Sequence, residues 1–285
     1  MTNVSNISRG LDMFRDGSAM AQGGIATMAQ GIADNRFYVM RWSYGSGDNE
    51  VSGVCDLGDM FKPRCHDDGS VDGKFLPAMY RAAADNFGIE GGMSSADKMA
   101  FQRAFTIASA GWSGVPVETV TVKKMDSKGK IVPAQAVEVP AAVAFDLVND
   151  KGEPTELAQG LIERLRGNLE LQGLTVPDDA ELMERAQSLK VKCVGGSHPV
   201  FGKVPSATDI ANKLSPVAIS NGFMQPKGNR NKSGKPDRFG ESLDFVTKCL
   251  DEVLGDGDEA GFAPSTAVED KLRGLAERIA AYFAA

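Results

Sequence analysis

Histidine and tryptophan occur only twice each in the 285 residues, and cysteine only four times. Four thiols, Cys55, Cys65, Cys193 and Cys249, are too few to staple a chain of this length. A disulfide scaffold is therefore excluded, and a reducing, cytoplasmic setting is expected. With only His66 and His198 available, acid–base catalysis by histidine has few candidates. No apolar run approaches the roughly 18 residues that a membrane helix needs. The opening Met1-Thr2-Asn3-Val4-Ser5-Asn6 has neither the basic nor the apolar region of a secretory leader. No membrane partner is expected.

Catalytic signatures are scarce as well. There is no HExxH and no GxSxG. Gly228 to Lys235 has five residues between its glycines where a phosphate loop has four, and Pro236 stands where a magnesium-binding Ser or Thr belongs. Gly45 to Glu50 lacks the third glycine of a dinucleotide fingerprint. Cys55, Cys65, His66, Cys193 and His198 are of metal-ligand type, and Cys193-x4-His198 has a chelate-like spacing. A tetrahedral zinc site needs four ligands to converge, however, and no paired CxxC supports one. No metal or other cofactor is expected, and the balance is against an enzyme, with carboxylate or metal chemistry as the remaining catalytic alternative.

The net charge of −7 and pI near 5.0 exclude a protein that coats nucleic acid with its whole surface. They leave room for a local basic groove, because the field at a patch depends on nearby charge more than on the total. A 42% hydrophobic and 24% charged composition is that of a globular protein. Its 32 glycines cluster in residues 17–58 and 88–114, where loops or close backbone contacts are expected.

Against this aromatic-poor background one stretch stands out. Arg36-Phe37-Tyr38-Val39-Met40-Arg41-Trp42-Ser43-Tyr44-Gly45 holds half of the tyrosines, one of the two tryptophans and two arginines. Its residue types favour a strand, followed by a turn at Gly45 to Asn49 and a return strand from Glu50 to Leu57. Period 2 places Phe37, Val39, Arg41 and Ser43 on one face and Arg36, Tyr38, Met40, Trp42 and Tyr44 on the other. The second face is expected to be open and the first to anchor on the core, which leaves Arg41 awkwardly placed.

Along the chain, residues 11–34 alternate apolar side chains with Ala, Gly and Met. Each of Gly17, Gly23, Gly24 and Gly31 weakens a helix by about 1 kcal/mol relative to Ala. Two readings stand: a mobile or partner-docking arm, or a helix packed closely on its neighbour. A helix is expected from Pro77 to Phe87, and a second, capped by Ser94 or Ser95, carries Met99, Phe101, Ala104, Phe105 and Ala108. The pair has the outline of a helix-turn-helix, but the intervening segment is long, and core packing explains it better. Val117–Lys124 and Ile131–Val139 form a second hairpin. Leu157, Leu161, Leu165 and Leu169 mark an amphipathic helix, and Pro177–Leu189 marks another with Asp178 and Asp179 at its positive end. Residues 191–238 read as irregular with a short helix at 206–214. A helix through Leu243, Val246, Leu250 and Val253 follows, then an acidic stretch at 251–259. Val268, Leu272, Leu275, Ile279 and Tyr282 form a packing seam.

The expected fold is α+β, with N-terminal β-hairpins and two packed helices followed by a mostly helical C-terminal half. Its expected divisions are an arm at 1–35, an α+β domain at 36–150 and a mainly helical region at 151–285. The leading functional reading is a nucleic-acid-binding protein, for single-stranded DNA or RNA rather than duplex, of the kind used in DNA replication. Arg36, Tyr38, Arg41, Trp42 and Tyr44 would stack on bases, and Lys227, Arg230, Lys232, Lys235 and Arg238 of the basic run 227–238 would grip phosphates. The alternative for the aromatic strand is a buried core strand with arginine stems laid over it. A second functional reading is a structural or assembly protein, for example of a virus particle, forming homo-oligomers through residues 11–34 or 268–282.

Overall fold

A computed structural model describes residues 4–16, 21–66, 69, 71–125 and 130–225. The chain divides into two units, Met1–Pro226 and Lys227–Ala285, and all described residues belong to the first. The helices expected at 243–253 and 266–282 lie outside the described residues.

The first unit is organised around a helix that its composition alone would destabilise. Helix α2 (Ala21–Asp34) contains Gly23, Gly24 and Gly31, yet Gly23 to Ala29, Gly31 and Ile32 are all buried. Close packing explains both facts. Helix α1 (Ser5–Arg15) lies so near that a Cβ on Gly24 would stand 2.5 Å from the Gly10 carbonyl oxygen and 2.7 Å from the Phe14 nitrogen. A Cβ on Gly10 would meet the Met28 nitrogen at 2.6 Å, and one on Gly31 the Ile7 nitrogen at 3.0 Å. Around these contacts Ile7, Leu11, Ile25, Met28 and Ile32 are fully buried. Of residues 11–34, the described residues form the end of α1 and the closely packed helix α2. The glycines that weaken an isolated helix here allow two backbones to touch.

The carboxy-terminal end of α1 is pinned by Arg15, which donates from Nε at 3.2 Å and Nη2 at 3.0 Å to Oδ2 of Asp97, and from Nη2 to the Gly92 carbonyl at 2.7 Å. Asp97 also closes a capping box with Ser94 at the start of α4. Between these helices the chain forms an antiparallel hairpin of β1 (Val39–Tyr44) and β2 (Val51–Asp56), followed by α3 (Phe75–Asn86) and α4 (Ser95–Trp112). Phe101 and Phe105 of α4 are fully buried, so the helix-turn-helix outline is core packing.

A three-stranded antiparallel sheet follows, in the order β3 (Glu118–Met125), β4 (Ile131–Pro140), β5 (Lys190–Cys193). Its β4 runs close to α2, where a Cβ on Gly23 would stand 3.2 Å from the Gln135 carbonyl. The short helix α5 (Ala141–Ala144), then α6 (Glu156–Leu171) and α7 (Asp179–Ser188), connect β4 to β5. Thr155 and Asp178 cap α6 and α7 with side-chain acceptors, so the acidic start expected for the latter is present. A minimal hairpin of β6 (Ser197–His198) and β7 (Gly202–Lys203) leads to α8 (Ala207–Ser220), which continues past Pro216, beyond the expected end at 214.

The fold is α+β. Within the first unit, α1, α2 and α8 all pack against α4 or against one another. Among the described residues, no helix is long and apolar enough to cross a membrane.

Two glycine replacements separate packing from propensity. Gly24→Ala drives a methyl into backbone atoms and should cost about 1–3 kcal/mol or more. Gly160→Ala, in α6 where a Cβ meets nothing within 4 Å, should add roughly 0.5–1 kcal/mol. Urea unfolding of both variants reads the contrast, and equal midpoints would refute the close-packed assignment.

Candidate nucleic-acid interface

The first hairpin pairs Val39 with Asp56, Met40 with Cys55, Arg41 with Val54 and Trp42 with Gly53. Alternation along β1 gives two faces, and burial identifies which one is the core. Met40 is fully buried and Trp42 is 4% exposed, whereas Val39 is 56% exposed and Arg41 is exposed. The face carrying Tyr38, Trp42 and Tyr44 therefore points inward. The expected orientation of the strand is reversed, and Arg41, awkward on a core face, is on the outside.

Gly53 explains the reversal. The Trp42 ring covers it so closely that a Cβ there would stand 2.7 Å from Cζ2 of the indole. The ring stacks on Tyr44 (centroids 5.8 Å apart, 19° between planes) and meets the edge of Phe75 at 5.2 Å and 86°. The Arg64 guanidinium lies 4.4 Å from its centroid. Packed in this way, the indole has no face free for a base.

The two tyrosines are engaged as well. The Tyr38 hydroxyl contacts Oδ1 of Asn86 at 3.3 Å, and its ring lies against Phe87. The Tyr44 hydroxyl donates to Oδ2 of Asp72 at 2.6 Å. Asp72 is buried, and its Oδ1 accepts from the backbone N–H groups of Lys74 at 2.9 Å and Phe75 at 3.2 Å, with Nε2 of His66 at 4.0 Å. Burial alone pushes this carboxyl up. The Tyr44 hydroxyl, the two backbone donors and His66 outweigh it and hold Asp72 below the usual carboxylate range. The same hydrogen bond, ahead of burial, raises the Tyr44 hydroxyl.

The outer face presents different residues. Phe37 is 75% exposed and Val54 is 66% exposed, alongside Val39 and Arg41. Arg36 is half-buried, with its Cζ 5.2 Å from the Phe37 ring, 5.1 Å from Trp112 and 5.2 Å from Phe223. Arg81 reaches the Ser43 carbonyl from α3, with Nη2 at 3.4 Å. Arg36, Arg41, Arg64 and Arg81 form no ion pair with a carboxylate among the described residues. The sequence pattern marks neither Phe37 as an exposed ring nor Arg64 and Arg81 as neighbours of the hairpin. The signal available for the first was Gly53, which sits opposite Trp42 and leaves room for an indole on that face. Nothing local links Arg64 or Arg81 to the hairpin. Lys227, Arg230, Lys232, Lys235 and Arg238 lie outside the described residues.

The metal-type residues are dispersed. Cys55 is half-buried, and burial, with Asp59 and Asp56 nearby, pushes its thiol up to about 11. Cys193, the last residue of β5, is buried and its thiol is pushed up to about 12, again chiefly by burial. Cys65 is exposed, and Nδ1 of His198 accepts the Val200 N–H at 3.1 Å. Among the described residues, no three His, Cys, Asp or Glu side chains are grouped to hold a metal ion.

No protein-family model, curated protein or solved structure matches this chain.

The Asp72 cluster has a definite pH signature. Because its folded-state pKa is depressed, its contribution to stability is complete above the unfolded carboxylate value of about 3.9 and is lost as the pH falls through the folded value. Tyr44→Phe removes the strongest donor, so the variant should be less stable at pH 6, and the gap to the parent should narrow below about pH 4. Urea midpoints across that range test this, and a gap independent of pH would refute the coupling.

Proposed function

We propose that the protein binds single-stranded nucleic acid with the exposed surface in and around its first hairpin. The observation that carries this reading is the set Arg36, Arg41, Arg64 and Arg81, which lie on or against the hairpin and form no ion pair with a carboxylate among the described residues, with Arg36 beside the exposed ring of Phe37. Single strands are held by rings that stack on bases and by cations that follow the phosphates. A guanidinium can lie flat on an aromatic ring and still present its N–H groups to phosphate, so stacked arginines remain competent for both. Phe37 takes the stacking role that sequence alone assigns to Trp42. The acidic net charge does not by itself oppose this, because the field at a patch depends on nearby charge more than on the total. The run from Lys227 to Arg238 supports the reading through its charge in the sequence.

A second reading, a subunit-contact role in an assembly, is favoured by one observation. Val39, Val54 and Phe37 are exposed on a sheet of only two strands. Apolar surface on an unpaired edge is a common site of association. Of residues 11–34, Gly23 to Ala29, Gly31 and Ile32 are buried and lend this reading no support.

Anisotropy of a labelled oligothymidylate, titrated with the full chain at several salt concentrations, separates the two. Binding should weaken steeply with salt, and removing Arg41 and Arg81 together should lower the slope by about 1.4, at roughly 0.7 per phosphate contact. Phe37→Ala should weaken binding about 5- to 150-fold, the equivalent of about 1–3 kcal/mol for one stacked base. No binding at low ionic strength overturns the nucleic-acid reading. If in addition Phe37→Ala converts an oligomer to a monomer, the assembly reading replaces it.

A further inference from the structure

A second group of cations lies away from the hairpin, where the edge of the three-stranded sheet meets the small β6–β7 hairpin. Alternation along β5 buries Val191 and Cys193 and turns Lys190 and Lys192 outward. Gly195 and Gly196 follow, with φ of +72° and +85°, a conformation that side chains resist, and they turn the chain from β5 into β6. The result is a cavity of about 310 Å³ lined by Lys123, Lys190, Lys192, His198 and Phe201.

The groups around it are not equivalent. Lys190 is held by Glu118 at 2.8 Å. Glu138 stands opposite Lys192 in the strand register, but no ion pair joins them. Lys123 likewise has no ion-pair partner among the described residues. Because Nδ1 of His198 accepts the Val200 N–H, the proton of the neutral ring is on Nε2, which remains as a donor. The imidazole lies 5.2 Å from the Phe201 ring, which is stacked on Phe145 at 5.3 Å and 15°. Lysines on an edge strand commonly serve only to deter unwanted pairing. Here they share a cavity with a fixed N–H donor and a braced aromatic ring, and the volume is at the lower end for small-molecule sites, about 300–1,000 Å³.

We infer that this cavity binds a phosphorylated small molecule. Lys123 and Lys192 supply the charge for the phosphoryl group, Nε2–H of His198 donates to one of its oxygens, and Phe201 offers a face to a flat group such as a nucleobase. The site does not depend on the hairpin reading, since none of its residues belongs to the hairpin.

Calorimetric titration of the full chain with tripolyphosphate and with a nucleoside triphosphate tests the inference and distinguishes the two sources of phosphate. Both should bind saturably at low ionic strength, the nucleotide about tenfold more tightly. The double variant Lys123→Ala/Lys192→Ala should weaken both at least tenfold, while Lys98→Ala in α4 leaves them unchanged. Phe201→Ala should bring the nucleotide down to the level of tripolyphosphate without altering the latter. Circular dichroism melting establishes that each variant is folded. Absence of saturable binding by either ligand, or binding indifferent to the double lysine variant, overturns the inference. Equal affinity for both ligands in the parent keeps the phosphoryl site and overturns the role of Phe201.

Discussion

The contact between α1 and α2 is the constraint on which the rest of the unit depends. At Gly10, Gly24 and Gly31 the helices meet backbone to backbone, leaving no space for a side chain. This proximity buries nearly the whole of α2, so its remaining surfaces must be covered by α4, α8 and the β3–β4 pair. A helix with three glycines gains little from propensity and owes its stability to tertiary packing. Arg15 then links the end of α1 to the capping box of α4, so the same helix pair also fixes where α4 begins.

The hairpin follows a different logic. Its inner face is closed by aromatic stacking, a buried carboxylate and one glycine, and its outer face is left with an exposed phenylalanine, two exposed valines and an arginine. The arginines nearby satisfy themselves with rings and a carbonyl in place of carboxylates. In a chain whose carboxylates outnumber its cations, these four guanidiniums form no ion pair with a carboxylate among the described residues.

How much of this was legible in the sequence varied with the kind of signal. Local signals read well: Asp178 and Asp179 stand at the start of α7, Ser94 caps α4, and the spacing of Phe101, Ala104, Phe105 and Ala108 marked a buried face. The α+β class followed from the same signals. Residues 11–34 were ambiguous because glycine lowers helix propensity and permits close packing at once, and only the presence of α1 decides between them. Period 2 divided the 36–44 strand into the correct two sets but could not assign the core to either. That choice depends on Gly53 lying opposite Trp42, which is a matter of register. Strand β5 has only four residues, too few to show a period within a loop-rich stretch. The candidate cavity beside it joins residues from 122 to 204, a convergence that no local pattern encodes.

The placement of the two tryptophans has an optical consequence. Arg64 covers Trp42, and Arg36 lies over Trp112. Each indole therefore sits directly behind a guanidinium from the group assigned to ligand contact. Intrinsic emission becomes a report on how these two cations are held: an anion that draws either away from its ring changes the environment of a fluorophore it never touches.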